Sequence, residues 1–111
     1  MLDLSTSAVL ITGAGRQPAR AVALALAGAG CRLALNDLTP ARLDETAALA
    51  RALGAPVSVH VGDPSKGLFA RGLLEEALDA WGCIDILVNC PLAEPRLPLI
   101  DLDEWDFQRT L

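Results

Sequence analysis

The residues from Ser7 to Asp37 constrain the fold of this chain more than any other stretch. An apolar run at residues 8–11 is followed by a turn that contains Gly13 and Gly15, and then by an Ala- and Leu-rich segment. A second apolar run ends on Asp37. Strand, glycine turn, helix and a strand that ends in an acidic residue form a βαβ unit, which places a helix N-terminus against a pyrophosphate. The stretch therefore predicts nucleotide binding.

The rest of the chain continues this alternation of strands and helices. Glycine and proline mark the predicted helix ends, and uninterrupted apolar runs mark strands that are covered on both faces. Three prolines between residues 90 and 98 predict a loop, and Asp101 and Glu104 have capping-box spacing before a fourth helix. The predicted strands are 9–11, 32–37, 57–61 and 84–89, and the predicted helices are 18–29, 40–53, 63–81 and 102–111, with Pro18 in the first helical position.

Composition restricts the class of protein. The chain has 111 residues, enough for one domain, and its 52% hydrophobic content consists mainly of Ala, Leu and Val, which suits a sheet buried between helices. A net charge of −5 disfavours nucleic acids and anionic membranes as partners. No apolar stretch approaches the roughly 20 residues of a membrane helix, and the N-terminus lacks a signal-peptide pattern. Three cysteines without ligand spacing predict reduced thiols, a cytoplasmic location and no metal site.

Four landmarks in collinear order resemble the N-terminal half of the short-chain dehydrogenase/reductase family. They are Thr12-Gly13 after the first strand, Asp37 at the end of the second, Asp63 after the third, and Asn89 at the end of the fourth. The resemblance covers nearly all of the chain. It implies an α/β, Rossmann-like parallel sheet with strand order 3-2-1-4 and helices on both faces. The chain would then be a single dinucleotide-binding domain, residues 1–111, that lacks the catalytic half.

The first turn departs from the family's TGxxxGxG pattern. Thr12-Gly13 matches it, whereas Gln17 and Ala19 stand at the two later glycine positions. Gly15 fits an alternative GxGxxG spacing, whose third glycine position is occupied by Pro18. Ala19 adds only one methyl group, but Gln17 places a side chain where the phosphates of a cofactor would lie. We therefore expect the affinity for a dinucleotide to be reduced.

The resemblance also implies which cofactor is bound. Asp37 would accept hydrogen bonds from both adenosine ribose hydroxyls and repel a 2′-phosphate, which favours NAD over NADP. Arg16 conflicts with this, because NADP-preferring members often carry a basic residue there. The repulsion between the Asp37 carboxylate and a 2′-phosphate is expected to outweigh the attraction of a mobile arginine. Asp63 would contact the adenine amino group. The predicted cofactor-binding residues are Thr12, Gly13, Gly15, Arg16, Gln17, Asp37, Leu38, Asp63 and Asn89.

No catalytic residue is predicted within the chain. The family's Ser and its Tyr-x-x-x-Lys pair would come after residue 111, and this chain has no Tyr and a single lysine, Lys66. Cys90, Pro91 and Leu92 also replace the residues that follow the first Asn in the family's NNAG motif. Two interpretations stay open. One is the NAD(P)-binding portion of an oxidoreductase that transfers hydride to or from an alcohol or ketone, and the other is a non-catalytic pseudo-subunit or remnant that acts as an interaction module.

Simpler roles are open for several of these residues. The glycines could form an ordinary tight turn, Asp37 could begin a loop, Asp63 could cap the third helix, and His60 is expected to be a core or edge residue.

The strand at 84–89 is too apolar for an exposed sheet border. We therefore expect a homo- or hetero-oligomer to cover that edge unless further chain does so.

Overall fold

The computed structural model describes residues 4–90, which form a four-stranded parallel sheet with helices on both faces. The strand order is β3-β2-β1-β4, so the predicted order 3-2-1-4 is confirmed. In register, Leu10 lies between Ala34 on β2 and Leu87 on β4. The elements in chain order are β1 (Ala8–Ile11), α1 (Ala19–Gly28), β2 (Arg32–Asp37), α2 (Pro40–Ala52), β3 (Val57–Val61), α3 (Gly67–Trp81) and β4 (Ile86–Val88).

One face of the sheet, the α1/α2 face, is covered by two helices that contact it through small side chains. Three alanines of α1, spaced four residues apart, are at most 2% exposed. Because alanine is short, the helices lie close to the strands, and their backbones fill space that larger side chains would otherwise occupy. The buried residues of this face are Val9, Ile11, Ala14, Ala19, Ala23, Ala27, Cys31, Leu33, Leu35, Leu43, Ala47, Ala50 and Ala55.

The opposite face, the α3 face, is covered by one helix and is less complete. Leu73 and Ala77 of α3 pack against Leu10 and Ala34 of the sheet. Beside them, Leu74 and Leu78 are each 45% exposed, and Leu87 on β4 is 61% exposed. None of the helices within residues 4–90 combines the length and the apolar character that crossing a membrane requires.

Several predicted helix ends are observed. Pro40 occupies the first turn of α2 after Thr39, although the Thr39 side chain makes no capping hydrogen bond. Gly54 follows α2 with φ 92°, and Gly82 ends α3 in the left-handed conformation with φ 80°. Glycine adopts this left-handed conformation without the steric cost of a Cβ, so the backbone favours glycine at both positions.

Three predicted boundaries were wrong by a few residues. Pro18 caps α1 instead of occupying its first helical position. The third helix begins at Gly67, not at residues 63–65, because the Asp63 carboxylate accepts hydrogen bonds from Ser65 N–H at 2.9 Å and Ser65 Oγ at 2.6 Å. Such an Asx turn competes with helix formation. The predicted loop after Cys90 and the predicted helix at 102–111 lie outside the described residues.

The fourth strand also begins later than residue 84. Asp85 N–H donates to the Ala8 carbonyl at 2.8 Å, while Asp85 Oδ2 accepts from Ala8 N–H at 2.8 Å. A side-chain oxygen thus takes the place of a backbone acceptor at the start of β1. The regular β4 ladder therefore starts at Ile86.

Candidate nucleotide-binding site

The predicted site residues lie at the carboxyl edge of the sheet. Thr12 directly follows β1, Asp37 is the last residue of β2, Asp63 follows β3 after one glycine, and Asn89 directly follows β4. The strand order reverses between β1 and β4, because β2 and β3 extend the sheet on one side of β1 and β4 on the other. Ligands of open α/β sheets bind outside the carboxyl ends of the strands at such a reversal.

Thr12 and Asn89, which are 77 positions apart, are joined at this reversal. The Thr12 hydroxyl donates to Asn89 Oδ1 at 2.7 Å and accepts from Cys90 N–H at 3.0 Å. Thr12 N–H also donates to the Val88 carbonyl at 3.0 Å. The threonine therefore holds the ends of β1 and β4 together, and Asn89 is positioned by the same contact.

The two glycines of the first turn are needed for different reasons. Gly13 has φ 69°, a left-handed conformation that other residues rarely adopt. Gly15 is needed for space, because a Cβ there would collide with Asp37 Oδ2 and would lie 2.8 Å from Arg42 Cβ. The turn, the end of β2 and the start of α2 thus meet at Gly15.

The Asp37 carboxylate is enclosed at this meeting point, with its residue only 1% exposed. Its Oδ1 accepts from Leu38 N–H at 2.6 Å. Its Oδ2 is buried and has no hydrogen-bond partner within residues 4–90. An unpaired carboxylate oxygen is costly to bury, and two ribose hydroxyls are donors of the kind that would satisfy it. The carboxylate therefore lies against Gly15 of the glycine turn and not on an open surface, and its role toward a ribose stays a prediction.

The Gln17 side chain lies at the start of α1. Its side chain is exposed, and its Oε1 accepts from Ala21 N–H at 3.2 Å. First-turn N–H groups of a helix are the donors that hold an anion. Gln17 therefore takes one donor of α1 for itself. Arg16 is partly buried, and its N–H donates to the Gly13 carbonyl at 3.2 Å within the turn.

Asp63 and Leu38 complete the edge. Asp63 is partly buried and its carboxylate is engaged in the Asx turn with Ser65. The preceding residue, Gly62, donates its N–H to the Asp37 carbonyl at 2.9 Å, which joins the ends of β2 and β3. Leu38 is 39% exposed beside them.

Two residues that the sequence analysis did not select, Arg20 and Thr46, hold the glycine turn from below. Arg20 Nε donates to Thr46 Oγ1 at 2.8 Å, and one terminal nitrogen of Arg20 donates to the Gly15 carbonyl at 3.1 Å. Thr46 Oγ1 donates to the Ala14 carbonyl at 2.8 Å. A lone basic residue in an otherwise Ala- and Leu-rich helix, and a threonine on the apolar stripe of α2, were the available signals.

His60 is buried on the α3 face, as expected for a core or edge residue, and belongs to a hydrogen-bonded chain. Its Nδ1 lies 2.7 Å from Glu76 Oε2 on α3, and its Nε2 lies 2.8 Å from Ser58 Oγ. Because a carboxylate only accepts, Nδ1 is assigned the proton, and Ser58 then donates to Nε2. The chain fastens α3 to β3. Within residues 4–90, no cluster of three or more His, Cys, Asp or Glu could hold a metal ion.

All three cysteines are free thiols. Cys31 is fully buried on the α1/α2 face, and its Sγ donates to the Leu4 carbonyl at 3.3 Å. Burial raises the pKa of the Cys31 thiol above its ordinary value. Cys31 is therefore a neutral, structural thiol and not a reactive one.

Comparison with known proteins identifies the family. The chain matches the family model of short chain dehydrogenases over residues 7–111, and it therefore belongs to the short-chain dehydrogenase family. It is 30% identical over 108 residues to a sorbitol dehydrogenase of Cereibacter sphaeroides, covering 97% of this chain and 41% of that protein. An uncharacterized oxidoreductase of Thermotoga maritima is 29% identical over 110 residues, covering 99% of this chain and 43% of that protein.

Solved structures agree with the sheet topology. An NAD⁺-bound xylitol dehydrogenase superposes with a TM-score of 0.85 at 28% identity, covering 98% of this chain and 42% of that one. A short chain dehydrogenase/reductase from Burkholderia phymatum in complex with NAD superposes with a TM-score of 0.74 at 34% identity, covering 78% of this chain and 31% of that one. The chain thus spans less than half the length of the relatives that it matches, and the predicted family and Rossmann-like fold are confirmed.

Proposed function

We propose that this chain is the NAD-binding portion of an oxidoreductase that transfers hydride to or from an alcohol or ketone, and that it is not catalytic by itself. The observation that carries this proposal is the buried, unpartnered Oδ2 of Asp37 beside Gly15. Relatives with NAD bound share the fold. The three free thiols support a cytoplasmic location.

The residues of the carboxyl edge would hold separate parts of the dinucleotide. The glycine turn and the first turn of α1 would hold the pyrophosphate, Asp37 the adenosine ribose, and Asp63 with Leu38 the adenine. Thr12 and Asn89 would hold the chain beneath the nicotinamide. When bound, the cofactor supplies the hydride acceptor or donor. Because Asp37 is only 1% exposed, binding also requires a small opening between the turn and the start of α2.

The same carboxylate supports NAD over NADP. A 2′-phosphate at this ribose would place a second anion against a buried carboxylate, and like charges at close range in a desolvated site repel strongly. Arg16 at the turn does not remove that repulsion, because the carboxylate lies beneath the turn in contact with Gly15. We expect the intact chain to bind NADH at least about tenfold more tightly than NADPH.

Asp37→Asn tests the proposal. Loss of a charged acceptor for ribose hydroxyls is expected to weaken NADH binding about tenfold or more and to narrow the difference between NADH and NADPH. The free energy of unfolding of the free chain is expected not to fall, because asparagine keeps an acceptor for the Leu38 N–H while the buried charge is removed. Nucleotide fluorescence titration and urea unfolding measure the two quantities.

Asp44→Asn is the matched control, since it removes one negative charge from an exposed position on the neighbouring helix. It should leave both dissociation constants within about twofold of the wild type. The proposal is wrong if the wild-type chain shows no saturable change with millimolar NADH or NADPH. It is also wrong if Asp37→Asn destabilises the chain while leaving the affinity for NADH unchanged.

Gln17→Gly tests the partial occupation of the helix start. Freeing the Ala21 N–H and removing the side chain is expected to tighten NADH binding by about two- to fivefold. Gln17→Ala removes the amide but keeps a Cβ. Comparing it with Gln17→Gly separates the effect of freeing the Ala21 N–H from the effect of the volume that the side chain occupies. Unchanged affinity in both variants would show that the pyrophosphate does not lie at this helix start.

A second candidate function, a non-catalytic interaction module that forms a homo- or hetero-oligomer, is supported by the exposed apolar surface around β4. Leu87 is 61% exposed on a strand that lies at the border of the sheet formed by residues 4–90. If this is the main role, Leu87→Lys should lower the sedimentation coefficient of the chain while NADH produces no saturable change. Saturable NADH binding by a chain that sediments as a monomer supports the first function instead.

A further inference from the structure

We propose that Arg20 and Thr46 are positioning residues for the glycine turn. They hold the Ala14 and Gly15 carbonyl groups of the turn. The contact with the Ala14 carbonyl aims the Gly15 N–H away from α2, toward the bound dinucleotide. The inference rests on the proposed function and deepens it, because it names residues that act on the cofactor only through the backbone of the turn.

Thr46 is the buried centre of the arrangement, with 0% exposure. Its hydroxyl accepts from Arg20 Nε at 2.8 Å and lies 2.8 Å from the Ala14 carbonyl and 3.3 Å from the Arg42 carbonyl. A hydroxyl has a single proton to donate. Because Arg20 supplies a proton to the oxygen, the threonine's own proton goes to the nearer acceptor, the Ala14 carbonyl.

Arg20 extends the same restraint to the next peptide. One of its terminal nitrogens lies 3.1 Å from each of three acceptors, which are the Gly15 carbonyl, the Arg42 carbonyl and Glu45 Oε2. The Glu45 side chain is 66% exposed, so this ion pair contributes little. The contacts of Arg20 with backbone carbonyls and with buried Thr46 are therefore the ones that matter.

The planarity of the peptide bond converts these contacts into an orientation. In a trans peptide the C=O and N–H groups point in opposite directions, so holding the Ala14 carbonyl toward α2 directs the Gly15 N–H away from it. Gly13 and Gly15 leave the turn with more backbone freedom than other residues would. An external restraint on the carbonyls reduces the conformational freedom that binding would otherwise have to remove.

The packing of α1 on α2 does not depend on these two polar side chains alone. Buried alanines of both helices, including Ala23 and Ala47, already lie in one apolar cluster. Loss of the polar contacts is therefore expected to change the turn more than the fold, and a binding measurement is the sensitive readout.

The test compares Thr46→Val with Thr46→Ser in the intact chain. Valine keeps the shape and removes the hydroxyl, whereas serine keeps the hydroxyl, so we expect NADH affinity to fall about tenfold in the first variant and to stay within about twofold in the second. Arg20→Met should resemble Thr46→Val. Arg71→Met, which removes an exposed positive charge from α3, is its charge-matched control.

Two further measurements separate positioning from a general loss of structure. Circular dichroism melting gives the folded fraction, and an affinity loss explained by that fraction would overturn the inference. Hydrogen exchange of the Gly15 amide in the free chain should be faster in Thr46→Val than in Thr46→Ser, and equal rates would also overturn it. If the wild type binds NADH and Thr46→Val binds equally well, only this inference fails. If the wild type binds no dinucleotide, the proposed function fails and this inference fails with it.

Discussion

The two faces of the sheet are built in different ways. On the α1/α2 face, two helices bury thirteen residues, all at most 6% exposed, and the glycine turn lies directly above them. On the α3 face, one helix covers the sheet, three leucines stay 45–61% exposed, and a Ser58–His60–Glu76 chain provides part of the contact. The difference indicates that the site is supported from one side. Close packing beneath the turn restrains the peptide groups that would contact a ligand, and the packing on the α3 face contributes less to this restraint.

The largest expected effect comes from truncating a buried leucine on the better-packed face. Leu35→Ala, at a residue with 0% exposure, should lower the free energy of unfolding by about 2–5 kcal/mol, because the truncation leaves a cavity that the packed helices cannot move to fill. Leu87→Ala, at 61% exposure on the other face, should cost no more than about 0.5 kcal/mol. Urea unfolding of the two variants measures the contrast, and equal losses would mean that the α3 face is as well packed as the other.

Enlarging an alanine beneath the turn is expected to have the next largest effect. Ala23→Leu should cost about 1–3 kcal/mol, because no space is available between α1 and the sheet at this position of 0% exposure. Ala21→Leu, on the exposed side of the same helix, is the control and should be nearly neutral. A stable Ala23→Leu variant would contradict close approach of α1 to the sheet.

A smaller effect is expected from the polar chain on the α3 face. Glu76→Gln should lower the free energy of unfolding at neutral pH by about 1 kcal/mol or less, because the Glu76 side chain is 62% exposed and solvent weakens its attraction for His60. Glu75→Gln, at the neighbouring exposed position, is the control. A loss of several kcal/mol would show that this polar chain, and not apolar contact, holds α3 in place.

The smallest effect, absent at neutral pH, concerns Cys31 on the α1/α2 face. Burial raises the pKa of its thiol in the folded chain above 9.0, so the folded chain keeps a proton that the unfolded chain loses. Its contribution to stability is therefore complete below pH 9.0 and is lost as the pH rises through the folded pKa. Urea unfolding at pH 8 and at increasing alkaline pH should show a decline in the wild type that is shallower in Cys31→Ala. Cys83→Ala, at an exposed thiol, should keep the full decline.

Much of the fold could be predicted because its signals are local. The apolar runs predicted all four strands of residues 4–90, and glycine with proline predicted both ends of α2 and the end of α3. The start of α3 and the start of β4 were misplaced, since Asp63 and Asp85 form side-chain hydrogen bonds with backbone groups that compete with regular structure. A pattern of apolar residues carries no information on such contacts.

The sequence by itself determined the alternation of strands and helices, the family and the edge of the sheet at which the predicted site residues lie, because these follow from periodicity and from motifs in collinear order. Only the tertiary structure decided that Asp37 lies beneath Gly15 and that Thr46 holds the Ala14 carbonyl. It also decided that the Thr12 hydroxyl joins Asn89 across 77 positions. Contacts between residues far apart in the chain depend on how closely α1, α2 and the sheet pack. The distance between the helices and the sheet is set by the buried side chains of all three elements together.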